Sequence, residues 1–211
     1  MIPATSRQII AISAAVAFSV GVVTSANAAP ALGQPAPAFK ATDADGRTRS
    51  LSEFKGKTVV LEWTNNGCPY VQKHYNSGNM QGLQMSAAAE GVVWLAVVSS
   101  APGNQGYLTP AAAKTWKTSA KAAPAAVLLD PAGAVGRAYE AKTTPHMYIV
   151  DKTGKLVYMG GIDDKPSSDA ASLTGAKNYV TAALADMKAG RAVAQGATRP
   201  YGCSVKYGAS D

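Results

Sequence analysis

The chain is poor in the residues that mark several functional classes. Among its 211 residues there are only two cysteines, two histidines, three phenylalanines and three tryptophans. No block of lysine and arginine and no basic–aromatic repeat occurs, although the formal net charge is +7. These absences argue against nucleic acid as a partner and favour a charge spread over the surface.

Long apolar runs are also scarce, and the one near the N-terminus is short. Arg7 precedes an apolar stretch over residues 9–23, and Ala26-Asn27-Ala28 forms a small-x-small cleavage pattern. This arrangement is typical of a secretory signal peptide over residues 1–28, with an uncleaved N-terminal anchor as the alternative. We therefore expect an exported, periplasmic protein that is not stably inserted in a membrane once cleaved.

No internal repeat and no second domain is evident in the rest of the chain. Residues 29–190 predict one domain, and residues 191–211 predict a C-terminal tail that carries Cys203. Export permits disulfides, so Cys68 and Cys203 form either one internal bridge or two separate thiols. A bridge that only stabilises the fold is the simplest interpretation of such a pair.

Hydrophobic patterning predicts an α/β fold. Apolar runs predict strands at 58–64, 92–98 and 125–129 and a hairpin of 147–150 with 156–159, and helical patterns cover 80–90, 109–120 and 179–187. Alternating strands and helices favour right-handed crossovers with parallel pairing, whereas the hairpin adds antiparallel strands. We expect a mixed central β-sheet with helices on both faces.

Cys68 stands at the end of the first of these strands. Asn65-Asn66-Gly67 stops the strand, and Pro69 suits the first turn of a helix because no amide hydrogen is needed there. A sulfur at this junction lies near unpaired amide hydrogens, which stabilise a thiolate. We expect a reactive, accessible thiol, and a buried structural cysteine is the alternative.

A second motif adds a family resemblance. Thr143-Thr144-Pro145-His146 comes just before the hairpin, and together with the strand–Cys–Pro–helix unit it resembles the thioredoxin-like fold. The resemblance implies that the Thr144–Pro145 bond is cis and that Pro145 faces Cys68. Within the superfamily the chain resembles the redoxin branch, which includes AhpC/TSA and peroxiredoxin-like proteins, through Cys68-Pro69-Tyr70-Val71 and the late Gly202-Cys203.

Two positions depart from the patterns of related enzymes. Val71 stands where thioredoxins have the second cysteine of Cys-x-x-Cys, so the vicinal resolving thiol is missing. Asn65 stands where peroxiredoxins place a threonine or serine before the attacking cysteine. Cys203 is therefore the candidate resolving thiol, and the alternatives are a spare thiol or a permanent bridge partner of Cys68.

The resemblance also suggests roles for residues around Cys68. Glu62 matches a buried acid that exchanges a proton during thioredoxin chemistry, although an edge or surface carboxylate is an equal alternative. Trp63 is predicted to be core or pocket wall, and Asn66 to donate near the sulfur or to make the turn. Thr144 and His146 flank Pro145, so we expect them, with Pro69, to line a substrate pocket.

These features predict a thiol–disulfide oxidoreductase with Cys68 as nucleophile. Its partners would be protein or small-molecule disulfides and thiols, with an unknown electron donor, and no cofactor or metal is predicted. One alternative is a thiol-dependent peroxidase with antioxidant activity. Another is a non-enzymatic redox or copper-binding module using Cys68, His146 and Cys203.

Overall fold

The computed structural model describes Met1 and residues 29–209. Apart from Met1, the predicted signal peptide over residues 1–28 lies outside this range. Within the described part of the chain, no helix is both long enough and apolar enough to cross a membrane.

A seven-stranded mixed sheet forms the centre of the domain. Its strands are β1 (Lys40–Asp43), β2 (Thr48–Ser50), β3 (Val59–Trp63), β4 (Val93–Val98), β5 (Ala126–Leu129), β7 (His146–Val150) and β8 (Leu156–Gly160), in the order β2-β1-β5-β4-β3-β7-β8. The pairs β3–β4 and β4–β5 are parallel, and the remaining pairs are antiparallel. A separate two-stranded sheet pairs β6 (Thr143–Thr144) with β9 (Cys203–Ser204).

Five α-helices accompany the sheet in the described residues. They are α1 (Pro69–Asn76), α2 (Asn79–Ala89), α3 (Pro110–Ser119), α4 (Ala134–Ala138) and α5 (Tyr179–Lys188). Thr109 caps α3 by accepting a hydrogen bond from the amide of Ala112, and Pro110 occupies the first turn, as the sequence predicts. The predicted fold class, a mixed sheet with helices in a thioredoxin-like arrangement, is confirmed.

The central strand β3 separates two core layers. All five of its residues are buried, which agrees with its unbroken apolar pattern. Because side chains alternate across a strand, Leu61 and Trp63 pack on one face, and Val60 lies on the other face with Cys68. The layer in which a side chain lies therefore decides whether it can reach the sulfur.

One part of the sheet was not predicted from the sequence. Strands β1 and β2 form a hairpin in a segment where the apolar patterning predicts no strand. The buried Asp43 holds this hairpin, because its carboxylate accepts from the amides of Asp45 and Arg47 and from the Arg49 guanidinium, each at 2.9 Å. The strands that these contacts join have only four and three residues, and neither shows the regular apolar alternation by which a strand is recognised in a sequence.

The C-terminal segment is fastened to the domain along most of its length. The amide of Thr198 donates to Met159 O, that of Val205 donates to Lys142 O, and Ala101 donates to Lys206 O at 2.9 Å. This path carries the chain past the loop that precedes β7. The segment predicted as a tail is thus docked on the domain: it passes the N-terminus of α1 at Cys203, and its last residues pack on α4, where Arg137 Nη2 donates to Gly208 O.

Candidate active site

Cys68 occupies the N-cap position of α1, with Pro69 in the first turn. The preceding turn is closed by Asn65, whose side-chain oxygen accepts from the amide of Gly67 at 2.8 Å and whose carbonyl accepts from that of Cys68 at 3.0 Å. The strand-to-helix junction predicted from the sequence is therefore present. It presents the sulfur to the first amides of the helix, which have no partner inside the helix.

The two cysteines, 135 positions apart in sequence, meet at this junction. Their Sγ atoms are 2.6 Å apart, and both residues are thiols in this structure. This separation is shorter than ordinary contact between nonbonded sulfurs, so a bond between them needs only a small displacement. The docked C-terminal strand thus supplies the second sulfur that position 71 lacks.

The expectation of an accessible Cys68 is wrong for this arrangement. Its side chain has 0% relative exposure, whereas Cys203 is partly exposed. The cause is the C-terminal segment, because Cys203 and its neighbours lie over the N-terminus of α1. Solvent and partners therefore meet Cys203 first.

Backbone pairing around Pro145 holds Cys203 against Cys68. The Thr144–Pro145 peptide bond is cis, as the resemblance implies, and Thr144 pairs with Cys203 across β6 and β9. The carbonyl oxygen of Thr144 lies 3.2 Å from Cys68 Sγ. Both Cys68 and Cys203 are thus held against the same residue.

Gly202 is required at its position by the close approach of this backbone. A Cβ built on Gly202 would lie 2.0 Å from the carbonyl oxygen of Thr144, and its φ of +126° is one that side-chain-bearing residues rarely adopt. The sequence analysis noted Gly202 only as part of a motif. Its physical reason is that the backbone just before β9 passes too close to the carbonyl of Thr144 to leave room for a Cβ at position 202.

The two cysteines differ in the pKa of their thiols. Burial works to raise the pKa of Cys68, but its contacts with Cys203, with Thr144 and with the backbone amide of Val71 outweigh burial and hold the pKa below its ordinary value. Burial and the adjacent Cys68 sulfur raise the pKa of Cys203 to about 11. Cys68 is therefore the more acidic thiol of the pair, and Cys203 keeps its proton to higher pH.

Glu62 lies in the same core layer as Cys68, fully buried on β3. Its carboxyl accepts from Tyr75 Oη at 2.9 Å, from Trp94 Nε1 at 2.8 Å and from Gln84 Nε2 at 3.1 Å, and burial raises its pKa. The alternative of an edge or surface carboxylate is thus wrong. These contacts run towards α1, α2 and β4, and none joins Glu62 to either sulfur, so its proton-transfer role remains a prediction.

Trp63 and His146 lie in the opposite core layer. They are register partners on β3 and β7; the Trp63 ring packs on Tyr148, and the His146 ring centroid is 4.5 Å from that of Tyr148. Burial lowers the pKa of His146 to about 3, so it is neutral at ordinary pH. His146, predicted to line a pocket beside Cys68, is corrected to a core position, and Trp63 takes the core alternative of its prediction, because strand alternation turns both side chains away from Cys68.

The other predicted pocket residues have different surroundings. Pro69 is exposed at the start of α1, and Thr144 is buried against Cys203. Asn66 contributes its carbonyl, which accepts from Gln72 Nε2 at 3.0 Å, whereas the side chain that forms the turn is that of Asn65. Within residues 29–209, no group of three or more His, Cys, Asp and Glu side chains is arranged to hold a metal ion.

The family is decided by comparison with known proteins. Residues 31–176 match the model of the redoxin family. The chain belongs to the redoxin family. Membership supports a redox function in general, and Cys68, Glu62 and Pro145 lie inside the matched range, whereas Cys203 lies beyond it.

Solved structures share the fold over most of the chain. A conserved protein of uncharacterised function from Geobacillus kaustophilus is 27% identical with a TM-score of 0.75, covering 86% of this chain and 94% of its own. A hypothetical protein from Sinorhizobium meliloti is 22% identical with a TM-score of 0.72, covering 87% and 98%. A putative thiol:disulfide interchange protein DsbE from Chlorobium tepidum is 24% identical with a TM-score of 0.51, covering 62% and 85%. No curated protein matches the chain.

Replacing Gly202 with alanine tests the close approach of the two backbones. The added methyl group would overlap the carbonyl of Thr144, so the strand must move and carry Cys203 away from Cys68. We expect formation of the Cys68–Cys203 disulfide under a mild oxidant to slow by about tenfold or more. Gly82→Ala is the control, because nothing lies within 4 Å of the added atom there. Equal rates in the two variants would contradict the requirement for glycine.

Replacing Cys203 with alanine tests the electrostatic difference between the sulfurs. Loss of the Cys203 contact removes a group that favours the charged form of Cys68, so the pKa of Cys68 should rise and its thiolate should form at higher pH. Cys203→Ser is the control, because its hydroxyl can still donate a hydrogen bond. Ultraviolet thiolate absorbance against pH measures both variants, and a Cys68 titration that both leave unchanged would refute the stabilisation.

Proposed function

We propose that the chain is an exported thiol–disulfide oxidoreductase in which Cys68 and Cys203 form the redox-active pair. The observation that carries this proposal is the meeting of the two Sγ atoms at 2.6 Å at a helix N-terminus, in a chain without a vicinal second cysteine. Membership in the redoxin family supports redox chemistry in general. The likeness to a putative thiol:disulfide interchange protein agrees with this reaction class.

The first step uses the thiolate of Cys68. The C-terminal strand must separate from Cys68, because the sulfur has no exposure while the strand is docked. The thiolate then attacks one sulfur of a substrate disulfide, forming a mixed disulfide as the substrate S–S bond breaks. The electron pair of that bond leaves with the second substrate sulfur, which takes up a proton.

Cys203 completes the oxidation of the pair. Its thiol loses a proton, and the resulting thiolate attacks Cys68 Sγ, so that the Cys68–Cys203 disulfide forms and the remaining substrate sulfur leaves. The pKa of Cys203 is raised while it lies partly buried beside the Cys68 sulfur. In the mixed disulfide that sulfur carries no charge, so one cause of the raised pKa is removed and the attacking thiolate forms more readily. The substrate has gained two electrons and two protons, and the pair has lost them.

Regeneration requires a dithiol as electron donor. With the strand docked, Cys203 is the exposed sulfur, so a donor thiolate attacks Cys203 and Cys68 leaves as the thiolate. Cys68, the cysteine of lower pKa, is the better leaving group. The exposure of Cys203 and the leaving ability of Cys68 therefore both favour attack at Cys203. The second donor thiol then releases Cys203, and the donor becomes a disulfide.

Export is part of this proposal. The basic, apolar and small-residue order of residues 1–28 supports it, since this pattern is typical of a secretory signal peptide. An oxidising compartment would also allow the pair to accumulate as a disulfide. Secretion of the full-length chain and the N-terminal sequence of the secreted product test this part directly.

Cys203→Ser separates the two halves of the reaction. Cys68 can still attack a disulfide substrate in this variant, but no thiolate resolves the intermediate, so mixed disulfides should accumulate on Cys68 and turnover should fall about tenfold or more. Turnover of a model disulfide and the intact mass with and without reduction measure both effects. Ser204→Ala, an exposed change in the same strand, is the control and should retain turnover.

Four outcomes would contradict the proposal. Unchanged turnover in Cys203→Ser would remove Cys203 from the reaction, and activity retained by Cys68→Ser would remove the nucleophile. Peroxide consumption that needs both a thiol donor and Cys68, without disulfide exchange, would instead favour the peroxidase alternative. Bound copper in protein purified without chelator, with no turnover, would favour the copper-binding module.

A further inference from the structure

A buried charged cluster lies beside the redox pair. Its members are Lys73 and His74 on α1, Asp163 after β8, and Tyr201 from the C-terminal segment. The side chains of Lys73 and His74 have 0% relative exposure and that of Asp163 has 1%. Burial of this much charge requires close compensation, and the cluster has no part in the reaction described above.

The hydroxyl of Tyr201 connects the members of this cluster. It donates to Asp163 Oδ1 at 2.5 Å, and its oxygen lies 3.2 Å from Lys73 Nζ and 3.3 Å from His74 Nε2. His74 Nδ1 lies 2.7 Å from Asn79 Nδ2, which can only donate, so Nε2 carries the imidazole proton and donates to Tyr201. The Tyr201 hydroxyl thus donates to the Asp163 carboxylate and accepts from the side chains of Lys73 and His74.

Among the described residues, only Tyr201 lies at hydrogen-bond distance from all three groups. Lys165 joins two of them, because its amide donates to Asp163 Oδ1 at 2.9 Å and its carbonyl accepts from Lys73 Nζ at 3.0 Å. Asp163 Oδ2 is 3.8 Å from both Lys73 Nζ and His74 Nε2, and it has no hydrogen-bond partner among the described residues. Separation of Tyr201 would leave the carboxylate and the two bases without their shared partner in a buried site. That loss opposes undocking of the segment.

The position of Tyr201 relates this cluster to the sulfurs. Tyr201 precedes Cys203 by two residues, and Lys73 and His74 follow Cys68 on the same helix. The Tyr201 ring also packs edge-on against Tyr70, with centroids 5.9 Å apart. The helix that presents Cys68 therefore also holds the residue that delivers Cys203.

We propose that Tyr201 is a positioning residue for the redox pair, acting as a latch between the C-terminal strand and the Lys73–His74–Asp163 cluster. The latch sets the effective concentration of Cys203 at Cys68. It therefore sets how strongly the disulfide is favoured and how often Cys68 is uncovered. The redox part of this inference depends on the proposed function, whereas the docking part does not.

Tyr201→Phe tests the latch by removing only the hydroxyl. In a glutathione redox buffer, we expect the equilibrium constant for the Cys68–Cys203 disulfide to fall about tenfold or more, because the strand is less firmly docked. In a Cys203→Ser background, alkylation of Cys68 should accelerate by a similar factor, because the sulfur is uncovered more often. Tyr139→Phe is the control, since its buried hydroxyl donates to Pro37 O, away from the cluster, and both readouts should match the parent.

The two readouts separate the failure of the latch from the failure of the proposed function. If the parent protein forms no Cys68–Cys203 disulfide, the proposed function fails, and the alkylation rate still tests docking. If Tyr201→Phe alters neither readout relative to Tyr139→Phe, the latch is refuted. Asp163→Asn, which keeps the size of the side chain but removes its charge, is the second variant should Tyr201→Phe not fold. It should shift both readouts in the same direction, and no shift would also refute the latch.

Discussion

The structure depends on one backbone contact, the approach of the C-terminal strand to the loop containing the cis Thr144–Pro145 bond. Gly202 lies against the carbonyl of Thr144 and Cys203 pairs with the same residue, so a single strand-like pairing brings a distant sulfur to Cys68. The helix N-terminus then makes the two sulfurs unequal. Without this contact, Cys68 would be a lone cysteine at a strand-to-helix junction.

Two neighbouring strands of the central sheet position the residues that the C-terminal strand contacts. The central strand β3 is buried on both faces and ends at Trp63, just before the turn made by Asn65. The loop before β7 stands directly beside it, because β3 and β7 are neighbours in the sheet. The sheet thus positions Cys68 and Pro145, and the C-terminal segment completes the site by covering them.

The elements with a short-range signal were predictable from the sequence. The buried strands, the capped helix beginning at Pro110 and the hairpin of β7 with β8 follow from apolar runs, a threonine cap and a turn pattern. Cys68 could be placed at its junction for the same reason. The hairpin of β1 with β2 was not predicted because its strands have only four and three residues and show no regular apolar alternation.

Contacts between distant segments were less accessible to sequence reasoning. The motif around Cys203 suggested a partner for Cys68, but only the folded chain shows that Tyr201 enters a buried cluster with Lys73. His146 was assigned to the pocket because it follows Pro145 in sequence, and Trp63 was predicted to be either core or pocket wall. Strand alternation turns both side chains into the opposite core layer. This could be recognised only once the register of β7 against β3 was known.

The order of the segments along the chain has a consequence for biosynthesis. Every strand of the central sheet precedes Cys203, so the second thiol is the last component of the site to be synthesised. Until then Cys68 has no cysteine within its own polypeptide to pair with, and it is not yet covered. Cys68 can therefore be covered, and its pKa lowered by the contact with Cys203, only after the last segment of the chain has been made.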